Sequence, residues 1–219
     1  MYQNDSITKI ALADDHQLLR TALASLIDSF GDCTVVIQTN NGSELIEQVK
    51  TTNMPDIALL DLNMPVMDGY ETAIWFKDNF PEVQVLMLTM YDTEATMIRL
   101  LQAGVKGFLK KDVHPSELRF AIQSVIQHGY YYSHSTTGKL VNLFRNGDDN
   151  TIQKNLLSEQ EIIFLKYVST DLTYKEIAGE MELNPRSVDN LRDHLFEKLD
   201  VKSRVGLAMY AIRQGLVCI

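Results

Sequence analysis

The sequence predicts two domains of different class: an open, doubly wound α/β domain followed by a small, wholly helical one. Three observations predict this. Over residues 9–128, five short β-rich runs alternate with amphipathic helical patterns. From Leu156 to Gln214 the apolar residues recur only at helical spacing. Between the two patterns lies a Gly/Asp/Asn-rich break, NGDDN, at 146–150. A chain of 219 residues suits two ordinary domains, and 45% hydrophobic residues can build a core in each.

The strand runs are KIALA (9–13), CTVVIQ (33–38), DIALL (56–60), VQVLMLT (83–89) and GFLK (107–110). Most are continuously apolar rather than alternating, as expected of parallel strands covered on both faces. The helical patterns fall near 16–30, 42–52, 69–79, 93–103 and 115–128. Strand–helix alternation with short connections implies right-handed βαβ units in one sheet. In such sheets ligands bind at the carboxyl ends of the strands, where the strand order reverses. In the second domain, Ser158 with Glu161 forms a capping box, and Asn184-Pro185 is an N-cap followed by proline at the first helical position. Helices are predicted at 158–169, 173–181, 185–199 and 203–214, after a linker, 131–155, with a short helix at about 136–145.

Charge is uneven. Residues 1–150 hold 11 Lys and Arg against 19 Asp and Glu, net −8; residues 151–219 hold 9 against 10, net −1. This excludes a generic nucleic-acid coat but not a specific DNA site. Two distant cysteines, Cys33 and Cys218, are too few for a disulfide scaffold or a structural zinc site. The N-terminus has no apolar leader core and no apolar stretch reaches membrane-spanning length, so a cytoplasmic protein with no membrane partner is expected.

The chemistry is concentrated at strand ends. Asp14 and Asp15 follow the first strand, and Asp61 ends the third. At the switch point of a doubly wound sheet these two strands are neighbours, so the carboxylates crowd one crevice. Like charges held together share a proton or bind a cation, and Mg²⁺, which takes one or two carboxylates with waters and phosphate oxygens, suits such a site. Thr89 adds a hydroxyl at the end of the fourth strand, and Lys111 an ammonium after the fifth. Together they make a phosphoryl-acceptor site with a carboxylate nucleophile, the cations offsetting the charge of the transferred group. Met64-Pro65 stiffens the turn after Asp61, Gly69 is expected to supply backbone freedom, and Asp68 to cap the next helix.

ALADDHQLLR, LLDLNMPVMDGYE, VLMLTMYD and GVKGFLKKD, in this order over residues 8–128, resemble a bacterial response-regulator receiver domain. The resemblance implies the flavodoxin-like (βα)5 fold over 1–130 and assigns Asp61 as phosphoacceptor. It makes Asp14, Asp15, Asp61 and the Asn63 carbonyl the Mg²⁺ ligands, Thr89 and Phe108 the switch pair, and Lys111, rather than Lys110, the phosphoryl contact. Asp112 stands where receivers often have proline, and Met90 where many have a small residue, which narrows access to Asp61.

Residues 156–219 resemble the LuxR-type helix-turn-helix tail of the NarL/FixJ subgroup, through LLSEQEIIFL, LTYKEIAGEM, LNPRSVDNLRDHLFEKLDVKSR and AMYAIRQGLV. The resemblance implies a four-helix domain with a recognition helix at 185–199. It implies DNA contacts from Lys175, Arg186, Ser187, Asn190, Arg192, Lys198, Lys202 and Arg204. Asp189 and Asp193 depart from the basic residues common in relatives. Tyr130, Tyr131 and Tyr132 are expected to pack rather than stack on bases, and helix 203–214 to be a dimer surface or a core helix. The expected function is a two-component response regulator, phosphorylated by a sensor histidine kinase, dimerising when phosphorylated and binding promoter DNA; it is not expected to be an enzyme. An aspartyl phosphohydrolase is disfavoured because Asn63 occupies the position of its second acid. The alternative output is a helical domain that binds a protein partner instead of DNA.

Overall fold

The computed structural model describes residues 7–51, 54–90, 93–133, 137–138 and 157–217, in two compact units. The short helix expected at about 136–145 falls largely outside the described residues, and Cys218 wholly so.

In the first unit the strands β1 (Thr8–Ala13), β2 (Cys33–Thr39), β3 (Ile57–Asp61), β4 (Gln84–Thr89) and β5 (Gly107–Lys110) form one parallel sheet in the order β2-β1-β3-β4-β5. The helices are α1 (Gln17–Asp28), α2 (Gly42–Thr51), α3 (Gly69–Asn79), α4 (Glu94–Gln102) and α5 (Pro115–His128). The central strands are buried on both faces, and their side chains alternate between two cores. Ala11, Ala58, Leu60, Val85 and Met87 pack with Leu45, Phe76 and Leu100. Ile10, Leu12, Ile57, Leu59, Leu86 and Leu88 pack with Ile27, Leu118 and Ile122 on the other face. Each fully buried aliphatic or aromatic side chain contributes about 1.5–3 kcal/mol, so the continuous apolar runs are what fix these five strands in the middle layer.

Caps set the helix boundaries. Asp68 caps α3 in a capping box with Glu71, as expected of it. α5 begins with Pro115 behind the His114 cap and ends at Gly129, whose φ of 82° is left-handed. Most helices end a residue or two inside the predicted bounds, because sequence periodicity does not register the last fraying turn. Tyr131 and Tyr132, expected in the linker, are held by this first unit. The Tyr131 N–H donates to the Lys106 carbonyl at 2.8 Å, forming a parallel bridge beside Gly107, and its hydroxyl donates to Glu117 Oε1 at 2.9 Å. Tyr132 packs on Phe108 with ring centroids 5.8 Å apart and stacks on Tyr130.

The second unit holds α6 (Glu159–Val168), α7 (Tyr174–Glu180), α8 (Pro185–Lys198) and α9 (Arg204–Arg213). Capping boxes open α6 (Ser158, Glu161) and α7 (Thr173, Glu176), and Asn184 caps α8 by accepting from the Ser187 N–H. Phe164, Leu165, Ile177, Val188, Leu195, Leu207 and Ala211 form its core. α9 therefore splits its apolar residues: Leu207 and Ala211 face inward, while Val205 and Met209 are exposed.

Candidate phosphoryl-acceptor site and helix-turn-helix surface

The reversal of strand order lies between β1 and β3. Their carboxyl ends bring Asp14 and Asp61 into one crevice, with Asp14 fully buried and Asp61 nearly so. Two buried carboxylates side by side require a positive partner, and Lys111 supplies it. Its Nζ lies 2.7 Å from Asp61 Oδ2 and 2.9 Å from Asp14 Oδ2. The Lys111 N–H donates to the Thr89 carbonyl at 3.1 Å, which ties the loop after β5 to the end of β4. Lys110, the last residue of β5, is exposed, while Lys111 in the turn after it is the lysine that reaches the two carboxylates.

Burial pushes the Asp61 carboxyl up to about 6, against the opposing pull of the Lys111 ammonium and the Asn63 N–H. Burial works against the Lys111 ammonium too, but the two carboxylates outweigh it and hold it above the ordinary lysine value.

Asp14, Asp15, Asp61 and His16 each present a ligand atom, all within 4.8 Å of one another. Ligands about 2.0–2.1 Å from one Mg²⁺ lie at most about 4.2 Å apart, so these atoms would draw slightly together around such an ion. Asp14 Oδ2 is buried and has no hydrogen-bond partner; its close approach to Lys111 is an ion pair without hydrogen-bond geometry. Carboxylate oxygens, one of them buried and outside any hydrogen bond, fit a small hard cation. Thr89 and Phe108 are both buried beside this end of the sheet, while Met90 stands 66% exposed beyond them.

Two neighbours of this site, His16 and Arg20, are not among the sequence candidates. His16 Nδ1 lies 2.9 Å from Asp15 Oδ1 and 3.3 Å from Asp14 Oδ1, and the Arg20 guanidinium donates to the Asp14 carbonyl. The acid pair followed by His and then by Arg one helical turn later was the available signal. Asp15 does not cap α1; Asp14 accepts the His16 N–H instead, at 2.8 Å. Gly69 corrects the expectation of backbone freedom, since its φ is not left-handed. A Cβ there would meet the Asp61 carbonyl oxygen at 2.2 Å, so glycine is required by close approach to β3. The left-handed residue of this loop is Val66, at φ 68° and 86% exposed.

In the second unit α7 and α8 are joined by a tight turn in which Glu182 adopts φ 54° and the Leu183 N–H donates to the Ala178 carbonyl at 2.9 Å. Lys175, Arg186, Asn190 and Lys202 are exposed, and Ser187 is half-buried. Three of the basic candidates are engaged within the unit. Lys198 Nζ lies 2.8 Å from Glu161 Oε2, and both side chains are largely buried. The Arg204 guanidinium donates to the carbonyls of Val168 and Thr170. Arg192 pairs with Asp189 and Asp193.

The family model for the response regulator receiver domain matches residues 10–123, and that for bacterial regulatory proteins of the luxR family matches 155–211. The chain is 31% identical over 215 residues to the oxygen regulatory protein NreC of Staphylococcus haemolyticus, covering 95% of this chain and 99% of that one. A receiver domain of the response regulator NarL from Mycobacterium tuberculosis is 30% identical at a TM-score of 0.53, over 55% of this chain and 97% of that one. RcsB of Salmonella enterica serovar Typhimurium, solved on a promoter with a phosphomimetic, shares the fold at a TM-score of 0.70 and 20% identity, over 94% of this chain and 98% of that one. Receiver domains generally bind Mg²⁺ at an acidic pocket of the kind formed here. Among the described residues no helix is long and apolar enough to cross a membrane. The luxR-family match does not favour a protein-binding output. This chain belongs to the response regulators that join a receiver to a LuxR-type DNA-binding domain and regulate transcription, rather than to the enzymes that turn over an external substrate.

Proposed function

We propose that Asp61 is the carboxylate phosphorylated by a sensor histidine kinase in the cytoplasm, and that the phosphorylated chain dimerises and binds promoter DNA. The observation that carries this reading is the Lys111 ammonium bridging the buried carboxylates of Asp14 and Asp61. An Asp61 oxygen attacks the donor phosphorus as the phosphorus–nitrogen bond of the phosphohistidine breaks. Lys111, already in contact, then follows the new phosphoryl oxygens instead of the bare carboxylate.

Asp14, Asp15, Asp61 and the Asn63 carbonyl would hold Mg²⁺, which offsets negative charge on the transferred group. The Thr89 hydroxyl hydrogen-bonds the phosphoryl group, and Phe108 repacks into the space this opens. That movement shifts a two-state equilibrium toward the dimer. Residues 1–130 are assigned to the receiver, 131–155 to the linker and 156–219 to DNA binding. Lys175, Arg186, Ser187, Asn190, Arg192 and Lys202 face DNA, and Lys198 and Arg204 support the unit from within.

The test is Asp61→Asn treated with a small acyl-phosphate donor and Mg²⁺. Intact-mass spectrometry should show loss of the added phosphoryl mass seen in the wild type. Undiminished phosphorylation of the variant refutes the assignment.

A further inference from the structure

The recognition helix carries an arrangement that the charges alone do not suggest. Arg192 is held on three sides. Its Nε donates to Asp193 Oδ1 at 2.9 Å, its Nη1 to Asp189 Oδ1 at 2.8 Å, and its Nη2 lies 2.8 Å from Asp193 Oδ1. The guanidinium also sits over the Tyr174 ring, 5.2 Å from its centroid. The carboxylates are 52% and 63% exposed, so the cluster lies at the surface of α8 rather than in the core. The guanidinium has five N–H groups. Two donate to the carboxylates and Nη2 lies beside Asp193, so each terminal nitrogen keeps an N–H to give.

The Arg192 side chain is 25% exposed, and an N–H from each of Nη1 and Nη2 presented along that exposed edge would match the O6 and N7 acceptors of guanine in the major groove. They would match a phosphate as well, were it not for the flanking carboxylates. A backbone phosphate approaching Arg192 meets two negative charges beside the positive one. A guanine edge is neutral and meets no such repulsion. The acids therefore do two things. They fix the direction of a side chain whose rotamer entropy is otherwise large, and they make its contact with DNA depend on the base.

We propose that Asp189 and Asp193 are positioning residues that hold Arg192 as a guanine-reading fork and screen it from phosphate, so that each half-site must offer a guanine to α8. This rests on the proposed binding of promoter DNA and names one base that such DNA contains. It also accounts for acids on a helix that approaches a polyanion: they suppress binding to the wrong DNA more than to the right one.

The experiment uses the full-length phosphorylated chain and a duplex pool with a randomised central region. Wild type, Arg192→Lys and Asp193→Asn are each carried through selection, and the bound sequences are compared. The wild type is expected to enrich a G·C pair at one position per half-site that Arg192→Lys does not enrich. Replacing that guanine by 7-deazaguanine, which lacks the N7 acceptor, should weaken wild-type binding about tenfold and Arg192→Lys binding little. Asp193→Asn should bind the unselected pool several-fold tighter and show a steeper salt dependence, because Arg192 becomes available to phosphate. A purely structural clamp would weaken all sequences alike without changing the preferred base. If wild type and Arg192→Lys enrich the same sequences to the same degree, the fork is overturned while DNA reading stands. If the wild type enriches nothing, the DNA-binding reading fails and this inference falls with it.

Discussion

Replacing Asp61 by asparagine should stabilise the protein while removing the group proposed to be phosphorylated. The Asp61 carboxyl is raised from 3.8 to about 6, with burial the largest cause. A group whose folded value lies above its unfolded value binds more protons when folded. Its ionisation therefore costs nothing below pH 3.8, costs progressively more from there to about pH 6, and is fully felt above. That rise corresponds to about 3 kcal/mol. Asparagine keeps the shape and loses the charge, but it leaves Lys111 with Asp14 as its one carboxylate partner. The raised value already includes the attraction of Lys111, so the gain at neutral pH is up to about 3 kcal/mol. For a domain of this size each kcal/mol is worth roughly 4 °C, so the melting temperature rises by up to roughly 12 °C. The assay is thermal unfolding of the full chain by circular dichroism at pH 7.5 and pH 4, with EDTA or with MgCl₂. Asp61→Asn should melt higher than the wild type at pH 7.5 in EDTA, and the advantage should vanish at pH 4. It should shrink with MgCl₂, which stabilises the wild type by binding the folded carboxylates. A variant that melts below the wild type at pH 7.5 in EDTA refutes the claim that Asp61 is held at a cost.

Two further outcomes follow from the packing. Gly69→Ala places a methyl 2.2 Å from the Asp61 carbonyl oxygen, so it should destabilise the first unit by about 1–3 kcal/mol and slow phosphorylation; denaturant unfolding and the mass assay check both. Glu161→Ala removes the partner of the largely buried Lys198 together with half a capping box, and should cost the second unit about 3–5 kcal/mol by denaturant unfolding. Despite opposing burial, Lys198 and the Ser158 N–H hold the Glu161 carboxyl below its ordinary value. The wild-type advantage over this variant should therefore fade as pH falls below about 4.5.

The strands were legible because burial on both faces leaves an unbroken apolar run, as in Ile57–Leu60, and the acids were legible because they end those runs. The choice of Lys111 over Lys110 rests on resemblance, and the structure gives its physical basis: Lys110 ends β5 exposed, while the turn after it carries Lys111 to Asp61. What composition hid was direction. Lys198 and Arg204 look like surface cations in the sequence, but one reaches a buried carboxylate on α6 and the other two carbonyls after it. Glu161 was legible only as a cap, because a capping box is local in sequence while its bond to Lys198 spans 37 residues. At Gly69 the sequence shows the turn but not the approach of β3, which is what requires glycine there.

The bridge between Tyr131 and Gly107 bears on how the sheet ends. β5 is an outer strand, and an outer strand presents unpaired N–H and C=O groups that can template pairing with another chain. Tyr131 occupies part of that margin with its own backbone, and its buried ring presses edge-on against Phe120. A fragment cut at residue 130 keeps every strand and helix of the first unit, yet it uncovers the β5 margin and the ring of Phe108 together. Such a fragment should self-associate where one cut after Tyr132 stays dispersed, so the three tyrosines act as a hem on the sheet.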